Sequence, residues 1–132
     1  MRKDIVEILD IFFKRGLKKA TIPTNGFFTE QTVKKVKEML DKKFNIQIMI
    51  SIDGDKELHN EIRGRNCFDN ALKTFDELKK LGVNVGFNVA LSKLNYNNFI
   101  NLLKFLRKRT NNIDPILVRA KPSVMLSSEE FK

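Results

Sequence analysis

The chain has 132 residues, of which 42% are hydrophobic and eleven are Phe, enough to bury the core of one domain. Its apolar runs are far shorter than the roughly 20 residues of a membrane helix, and no signal peptide precedes the first amphipathic segment, so we expect a cytoplasmic protein. With one cysteine and one histidine, the chain cannot form an internal disulfide or supply a metal site of several Cys or His ligands.

The net charge of +9 comes from 25 Lys and Arg against 16 Asp and Glu. Such a balance is compatible with a nucleic-acid or other anionic partner. The basic residues are nevertheless spread along the predicted helices and do not form one block, and the aromatic residues occupy apolar helical positions. A lysine-rich surface is therefore favoured, and a nucleic-acid partner is not expected.

The first half of the chain alternates helix and strand. Apolar residues at helical spacing predict a helix over residues 4–15, and a short extended run follows over residues 19–22. Pro23 is expected to end that strand, and residues 24–26 to form a turn. A second helix is predicted over residues 29–41. Residues 46–52 are apolar at nearly every position, as in parallel strands that are covered on both faces.

The second half repeats the alternation. Residues 55–66 are polar and charged and are interpreted as a loop, and residues 68–81 form an apolar stripe typical of a helix closed by Gly82. Residues 83–90 alternate strictly between apolar and small or polar side chains. A fourth helix is predicted to end near Lys108, followed by a strand over residues 115–120 and the start of another helix near residues 127–130.

This order predicts an α/β fold of about four parallel strands alternating with helices, forming a partial (β/α) barrel. An open flavodoxin-like sheet fits the same periodicity, and the two remain alternatives. Both ends of the chain resemble interrupted βα units. We therefore expect one partial domain over residues 1–132, with two open sheet edges through which it could associate with another chain.

Polar residues gather where the predicted strands end, which is where βα folds bind ligands. They form four groups, at residues 24–26, 51–54, 91–95 and 120–121. Their residue types predict a site for a polar small molecule. Ordinary turn chemistry explains them equally well, because Asn, Asp, Ser and Gly also favour turns.

The ordered set of motifs resembles the radical SAM superfamily, nearest to its sulfatase-maturase-like and peptide-modifying branches. Thr24-Asn25-Gly26 ends one strand and Ser51-Ile52-Asp53-Gly54 ends the next. His59 and Arg63-Gly64 follow, and then a strand leads to Asn95. The resemblance covers about residues 4–110 and implies half of a TIM-like barrel that binds S-adenosylmethionine.

The resemblance also exposes what the chain lacks. In the family, three thiolates of a CxxxCxxC loop hold a 4Fe-4S cluster that reduces S-adenosylmethionine, and a Gly-Gly-Glu-Pro segment contacts the methionyl amino group. Neither segment occurs in this sequence. The chain is therefore expected to be inactive alone and not to hold the cluster, with any catalytic residue left unassigned.

The resemblance assigns cofactor binding to seven positions: Thr24, Asn25, Ser51, Asp53, Arg63, Asn88 and Asn95. It places Ser51 and Asp53 by the ribose and methionyl groups of the cofactor. It gives Arg63 a carboxylate partner through its planar guanidinium, and it places Asn88 and Asn95 in the lumen. The substrate implied by the family is a small molecule or a peptide.

Three neighbouring residues have less defined roles. Asn60 stands where many relatives have Asp, which puts the role of that carboxylate in doubt. His59 is interpreted as a residue that fixes the loop, and Cys67 as a small buried residue near a helix start.

Three hypotheses follow for function. The first is a fragment of a radical SAM enzyme core. The second is a non-catalytic nucleotide- or partner-binding protein derived from that fold. The third, and the least favoured, is a basic nucleic-acid-binding module, which would show affinity that falls steeply with salt.

Overall fold

The computed structural model describes residues 1–117, which form one four-stranded sheet with helices between its strands. The elements in chain order are α1 (Ile5–Lys14), β1 (Ala20–Thr24), α2 (Thr29–Asp41), β2 (Ile46–Ile52), α3 (Lys56–Arg63), α4 (Phe68–Lys80), β3 (Asn84–Leu91), a 3-10 turn (Tyr96–Asn98), α5 (Phe99–Arg107) and β4 (Ile113–Leu117). No helix within residues 1–117 is long and apolar enough to cross a membrane.

All strand pairs are parallel, and the strands lie in the order in which they occur along the chain. This confirms the predicted alternation and the partial barrel. The strand predicted over residues 115–120 begins earlier, at Ile113. Its expected end, the site group at residues 120–121 and the helix start near residue 127 all lie outside the described residues.

The core lies between the sheet and the helices. The four isoleucines of β2 alternate onto this side of the sheet and are almost fully buried, as are Val36 and Met39 of α2. Phe75 of α4 stacks on Phe87 of β3 with ring centroids 4.5 Å apart. Such a pair stabilises the packing of helix on strand by about 1 kcal/mol more than the burial of its apolar area alone.

The opposite face of the sheet, here called the lumenal face, carries the intervening residues. On β2 these are Gln47, Met49 and Ser51, and on β3 they are Asn84, Gly86 and Asn88. In a barrel this face would line the interior. Its polar composition agrees with the alternation predicted for β3.

Two sequence predictions were wrong. Pro23 does not end β1 but pairs within it, opposite Met49. Ala20 donates its N–H to Asn45 O on the β2 side at 3.0 Å. Since successive residues of a strand direct their nitrogens to opposite sides, the nitrogen of Pro23, three residues later, lies at the open edge, where no ladder bond is lost. Self-association through the sheet edges stays a prediction. Pro23 makes strand pairing at the β1 edge less favourable, because proline has no N–H to donate there.

The second error concerns residues 55–66, which contain α3. Asp55 caps this helix, since its carboxylate accepts from Leu58 N at 3.1 Å, and Gly64 ends it in the left-handed region at φ 64°. The polar composition had hidden the helix, although both capping residues are visible in the sequence.

An amide network closes the lower part of the lumenal face and depends on Gly86. The side chain of Asn112 accepts from Gln47 Nε2 at 3.2 Å through Oδ1 and donates from Nδ2 to Asn84 Oδ1 at 3.0 Å. Its backbone carbonyl accepts from Phe87 N at 3.0 Å. A Cβ at Gly86 would lie 2.6 Å from the Asn112 amide carbon and nitrogen and would also overlap its carbonyl oxygen.

Gly86→Ala is therefore expected to lower the free energy of unfolding by about 1–3 kcal/mol, because the backbone of Asn112 must move. Urea denaturation followed by circular dichroism measures this loss. Gly82→Asn is the control, since nothing lies within 4 Å of a Cβ there and Asn tolerates its positive φ. Equal stability of the Gly86→Ala variant and the wild type would contradict the proposed crowding.

Candidate functional site

The carboxyl ends of β1, β2 and β3 bring several of the predicted site residues to one edge of the sheet. Ser51 and Asn88 are register partners on neighbouring strands and are partly exposed on the lumenal face. Asn88 also lines a cavity of about 430 Å³, together with Thr21, Pro23, Gln47, Met49, Asn112 and Asp114. A hydroxyl and an amide thus lie on neighbouring strands at this end of the sheet, with the amide residue at the edge of the cavity.

Asp53 lies just beyond β2 at the centre of a group of four residues, here called the Asp53 clamp: Asp53, His59, Arg63 and Asn95. The Asp53 carboxylate accepts from Arg63 Nε at 2.6 Å and lies 3.6 Å from His59 Nδ1. Its backbone N–H donates to His59 Nδ1 at 3.1 Å, and its carbonyl accepts from Asn95 Nδ2 at 2.6 Å. Side chain and backbone of Asp53 are therefore both held.

Helix α3 makes the clamp possible. His59 and Arg63 are four residues apart, so they occupy one face of the helix, and helical side chains tilt toward the N-terminus, where Asp53 lies. Because the sequence prediction treated these residues as a loop, it missed the pairing. The i, i+4 spacing of His59 and Arg63 after Asp53 is the signal that could have found it.

Asn95 joins two strand ends. Its Nδ2 donates to the carbonyls of Asp53 and Ala90, each at 2.6 Å, and its Oδ1 accepts from Ser92 N at 2.9 Å. The side chain is buried and its amide is committed to backbone partners. Asn95 thus holds the β3 loop against the β2 loop, and direct contact with a cofactor stays a prediction.

Thr24 and Asn25 shape the turn after β1. Thr24 lies on the buried side, and its Oγ1 accepts from Gly26 N at 3.3 Å. Asn25 is exposed, and its Oδ1 accepts from Phe27 N at 3.1 Å. Gly26 has φ 67°, and a Cβ there would lie 3.0 Å from the Cα of Ala71. The turn is thus packed against α4, and cofactor contact by Thr24 and Asn25 stays a prediction.

Asn60 caps α4 across the short connection from α3. Its Oδ1 accepts from Cys67 N at 2.8 Å and from Phe68 N at 3.0 Å. An amide oxygen does this as well as a carboxylate oxygen. Asn in place of the Asp that the sequence resemblance implies therefore leaves the capping contact intact.

Cys67 and His59 are both buried. Burial raises the pKa of the Cys67 thiol, which opposes the thiolate form that metals require. Within residues 1–117, no group of three or more His, Cys, Asp or Glu side chains is arranged to hold a metal ion.

His59 is held in its neutral form. Burial lowers its pKa, although the Asp53 carboxylate opposes this effect, and the Arg63 charge lowers the pKa further. Because Nδ1 accepts the Asp53 N–H, the ring proton is on Nε2, which has no hydrogen-bond partner in the described part of the chain. The ring instead packs edge-on to Phe68, with centroids 5.8 Å apart.

Four parallel strands in chain order, alternating with helices, define an α/β domain of the partial-barrel type. Residues 1–106 match the Radical SAM superfamily, so the chain belongs to that superfamily. This confirms the resemblance seen in the sequence.

Curated relatives include the probable GTP 3′,8-cyclase of Sulfolobus acidocaldarius, 26% identical over 99% of this chain and 41% of its own length. The GTP 3′,8-cyclase of Campylobacter lari is 32% identical over 86% of this chain and 35% of its own length. The chain therefore spans about two-fifths or less of these relatives.

Solved structures of similar fold include "Native anSMEcpe with bound AdoMet". It has a TM-score of 0.67 and 19% identity, and the likeness covers 98% of this chain and 38% of that one. The same enzyme with AdoMet and the Kp18Cys peptide has a TM-score of 0.57 and 14% identity, covering 99% of this chain and 49% of that one. These likenesses support the partial-barrel fold.

Replacing Asn60 tests its role as the cap of α4. Asn60→Ala should lower the free energy of unfolding by about 1–2 kcal/mol, because two N–H groups at the helix start lose their acceptor. Asn60→Asp keeps the oxygen, so its stability near neutral pH should equal or exceed that of the wild type. Urea denaturation of the wild type and the two variants measures these differences. An Asn60→Asp variant as unstable as Asn60→Ala would contradict the capping role.

The buried neutral His59 predicts a loss of stability in mild acid. Its folded pKa lies below the unfolded value of about 6.5, so the unfolded chain binds more protons. The contribution is complete above about pH 7 and is lost as pH falls below about 6.5 toward the folded pKa, by at most about 1.4 kcal/mol per pH unit.

Denaturation at about pH 7.5, 6.5 and 5.5 measures this slope. As His59 is the only histidine, its imidazole NMR signals report the folded pKa directly. His59→Asn should remove the slope between about pH 7 and 5.5, and an unchanged slope in that variant would exclude His59 as its source.

Proposed function

We propose that this chain provides part of the S-adenosylmethionine site of a radical SAM enzyme. The observation that carries the proposal is the clustering of Ser51, Asn88 and the Asp53 clamp at the carboxyl edge of the sheet, in a chain that belongs to this superfamily. These groups can recognise a ligand that combines a carboxylate with a ribose.

Each proposed contact follows from the chemistry of the side chain. The guanidinium of Arg63 is partly exposed and would bind the methionyl carboxylate, since it has N–H groups beyond the one given to Asp53. The Ser51 hydroxyl and the Asn88 amide would bind the ribose hydroxyls. Thr24 and Asn25 would border the cofactor from the β1 end, and Asn95 from the β3 end.

The iron–sulfur cluster of the family does not fit this chain. When bound, such a cluster supplies the electron that cleaves S-adenosylmethionine, and it requires three cysteine thiolates. The sequence has one cysteine, which is buried at the start of α4. The thiolates of a working enzyme would therefore have to come from residues outside this sequence, and radical chemistry is proposed only for such a complete protein.

A small molecule or a peptide is the proposed class of substrate, as in the relatives named above. It would approach the lumenal face, where amides, a hydroxyl and Asp114 line the cavity. The nucleic-acid alternative is not favoured, because basic residues on several helices pair with neighbouring acids. Examples are Lys14 with Asp10, Lys35 with Glu38 and Lys80 with Glu77.

Titration of the isotope-labelled chain with S-adenosylhomocysteine, followed by NMR, tests the proposal without the cluster. Resonances of Ser51, Arg63 and Asn88 should shift. Arg63→Ala should weaken binding by about 1.5–3 kcal/mol, the value of a hydrogen bond to a charged group.

Arg65→Ala is the matched control. It makes the same change of charge two residues away, where the guanidinium lies over the Phe27 ring at 5.1 Å and outside the Asp53 clamp. Binding should be nearly unchanged in this variant. Equal weakening in both variants would point to net charge alone, and a wild-type chain that binds no nucleoside would refute the proposal.

A further inference from the structure

We propose that Asp53 is a positioning residue that holds the guanidinium of Arg63 ready for a carboxylate, and that it does not itself bind the ribose. This inference rests on the proposed function and replaces the direct ribose contact that the sequence resemblance implied for Asp53.

The first support is the part of the guanidinium that Asp53 uses. The carboxylate accepts from Nε at 2.6 Å, so the bond to Asp53 leaves the terminal amino groups of Arg63 for a ligand. A guanidinium is rigid and planar, so fixing Nε also fixes the plane in which the terminal N–H groups lie.

The second support is the difference in exposure within the pair. The Asp53 side chain is 13% exposed and that of Arg63 is 35% exposed. The arginine therefore offers a ligand a larger share of accessible surface than the carboxylate does. This difference suits a carboxylate that acts through its neighbour.

The third support is that the backbone of Asp53 is held by residues other than Arg63. Its N–H donates to His59 and its carbonyl accepts from Asn95, a residue of the loop that follows β3. Because its backbone is fixed by α3 and by the loop after β3, Asp53 can present its carboxylate to Arg63 and order a long side chain that would otherwise lose much rotamer entropy on binding.

The direction in which binding changes when the Asp53 charge is removed is informative, because two effects of that charge oppose each other. The negative charge of Asp53 also reduces the positive potential at Arg63 and repels a second carboxylate. If that repulsion dominated, removal of the charge would tighten binding. The positioning role predicts the opposite, because Arg63 would lose its fixed orientation.

The test compares two ligands across a double-mutant cycle in the full chain. S-adenosylhomocysteine carries the ribose and the amino-acid carboxylate, and 5′-methylthioadenosine carries the same ribose without the amino-acid group. Asp53→Asn, Arg63→Ala and the double variant are titrated with both ligands by NMR, and thermal unfolding confirms that each protein is folded.

Asp53→Asn should weaken the binding of S-adenosylhomocysteine by about threefold to tenfold, the range of an ordinary net hydrogen bond. It should change methylthioadenosine binding by less than about twofold. In the Arg63→Ala background the Asp53→Asn change should have no further effect on either ligand.

Four results would overturn the inference. Equal weakening of both ligands would restore the ribose contact. An effect that persists without Arg63 would indicate direct contact with the methionyl group. Tighter binding of S-adenosylhomocysteine would show that repulsion dominates. A wild-type chain that binds neither nucleoside would remove the proposed function, and this inference with it, whereas the first three results leave that function standing.

Arg63→Lys provides a second route should Asp53→Asn fail to fold. It keeps the positive charge and removes the Nε bond to Asp53 without touching the backbone of the Asp53 clamp. S-adenosylhomocysteine should then bind about as weakly as in Arg63→Ala, and wild-type affinity in the Lys variant would overturn the inference.

Discussion

The burial of the four isoleucines of β2 is the constraint on which the rest of the molecule depends. Ile46, Ile48, Ile50 and Ile52 all point into the core between the sheet and the helices. Because strand side chains alternate, this choice sends Gln47, Met49 and Ser51 to the lumenal face. A slip of one residue would bury Gln47 and Ser51 and expose the isoleucines. The same burial that stabilises the fold therefore also selects which side chains can meet a ligand.

The Asp53 clamp extends this order beyond the end of the strand. A buried carboxylate is costly unless it has charged and hydrogen-bonding partners, and Asp53 has Arg63 for its side chain and His59 and Asn95 for its backbone. These partners come from α3 and from the loop after β3. The two loops are thus fixed relative to each other by polar bonds, while the isoleucines fix the strands beneath them.

Much of this fold could be predicted from the sequence, since it rests on local periodicity. The bounds of β2 follow from its apolar run, and α2 and α4 follow from their apolar stripes. The errors arose where apolar periodicity was weak or absent. Helix α3 is short and polar and is defined mainly by Asp55 and Gly64 at its ends, and the place of Pro23 depends on which side of β1 the ladder bonds lie.

The residue types of the site could be predicted from the sequence, but the contacts between those residues could not. Sequence reasoning brought the strand ends together, yet the adjacency of Ser51 and Asn88 depends on register, which requires the sheet to be built. The pairing of Asp53 with Arg63 depends on α3. A residue interpreted as part of a loop has no predicted neighbours. The sequence therefore suggested a ligand carboxylate as the partner of Arg63, but it did not indicate the carboxylate of Asp53.

The position of α3 also explains how the proposed recognition and the redox chemistry of the family can reside in different segments. All members of the Asp53 clamp lie between residues 53 and 95, and their bonds close within that stretch. None of them requires a thiolate, and the one thiol of the chain is buried beside Asn60 at the start of α4, with its pKa raised. Within this chain, Asp53 holds the guanidinium proposed to bind the carboxylate, and strand register places the two residues proposed to bind the ribose side by side. A cluster held elsewhere would then add the electron and the remaining contacts to a surface that is already formed.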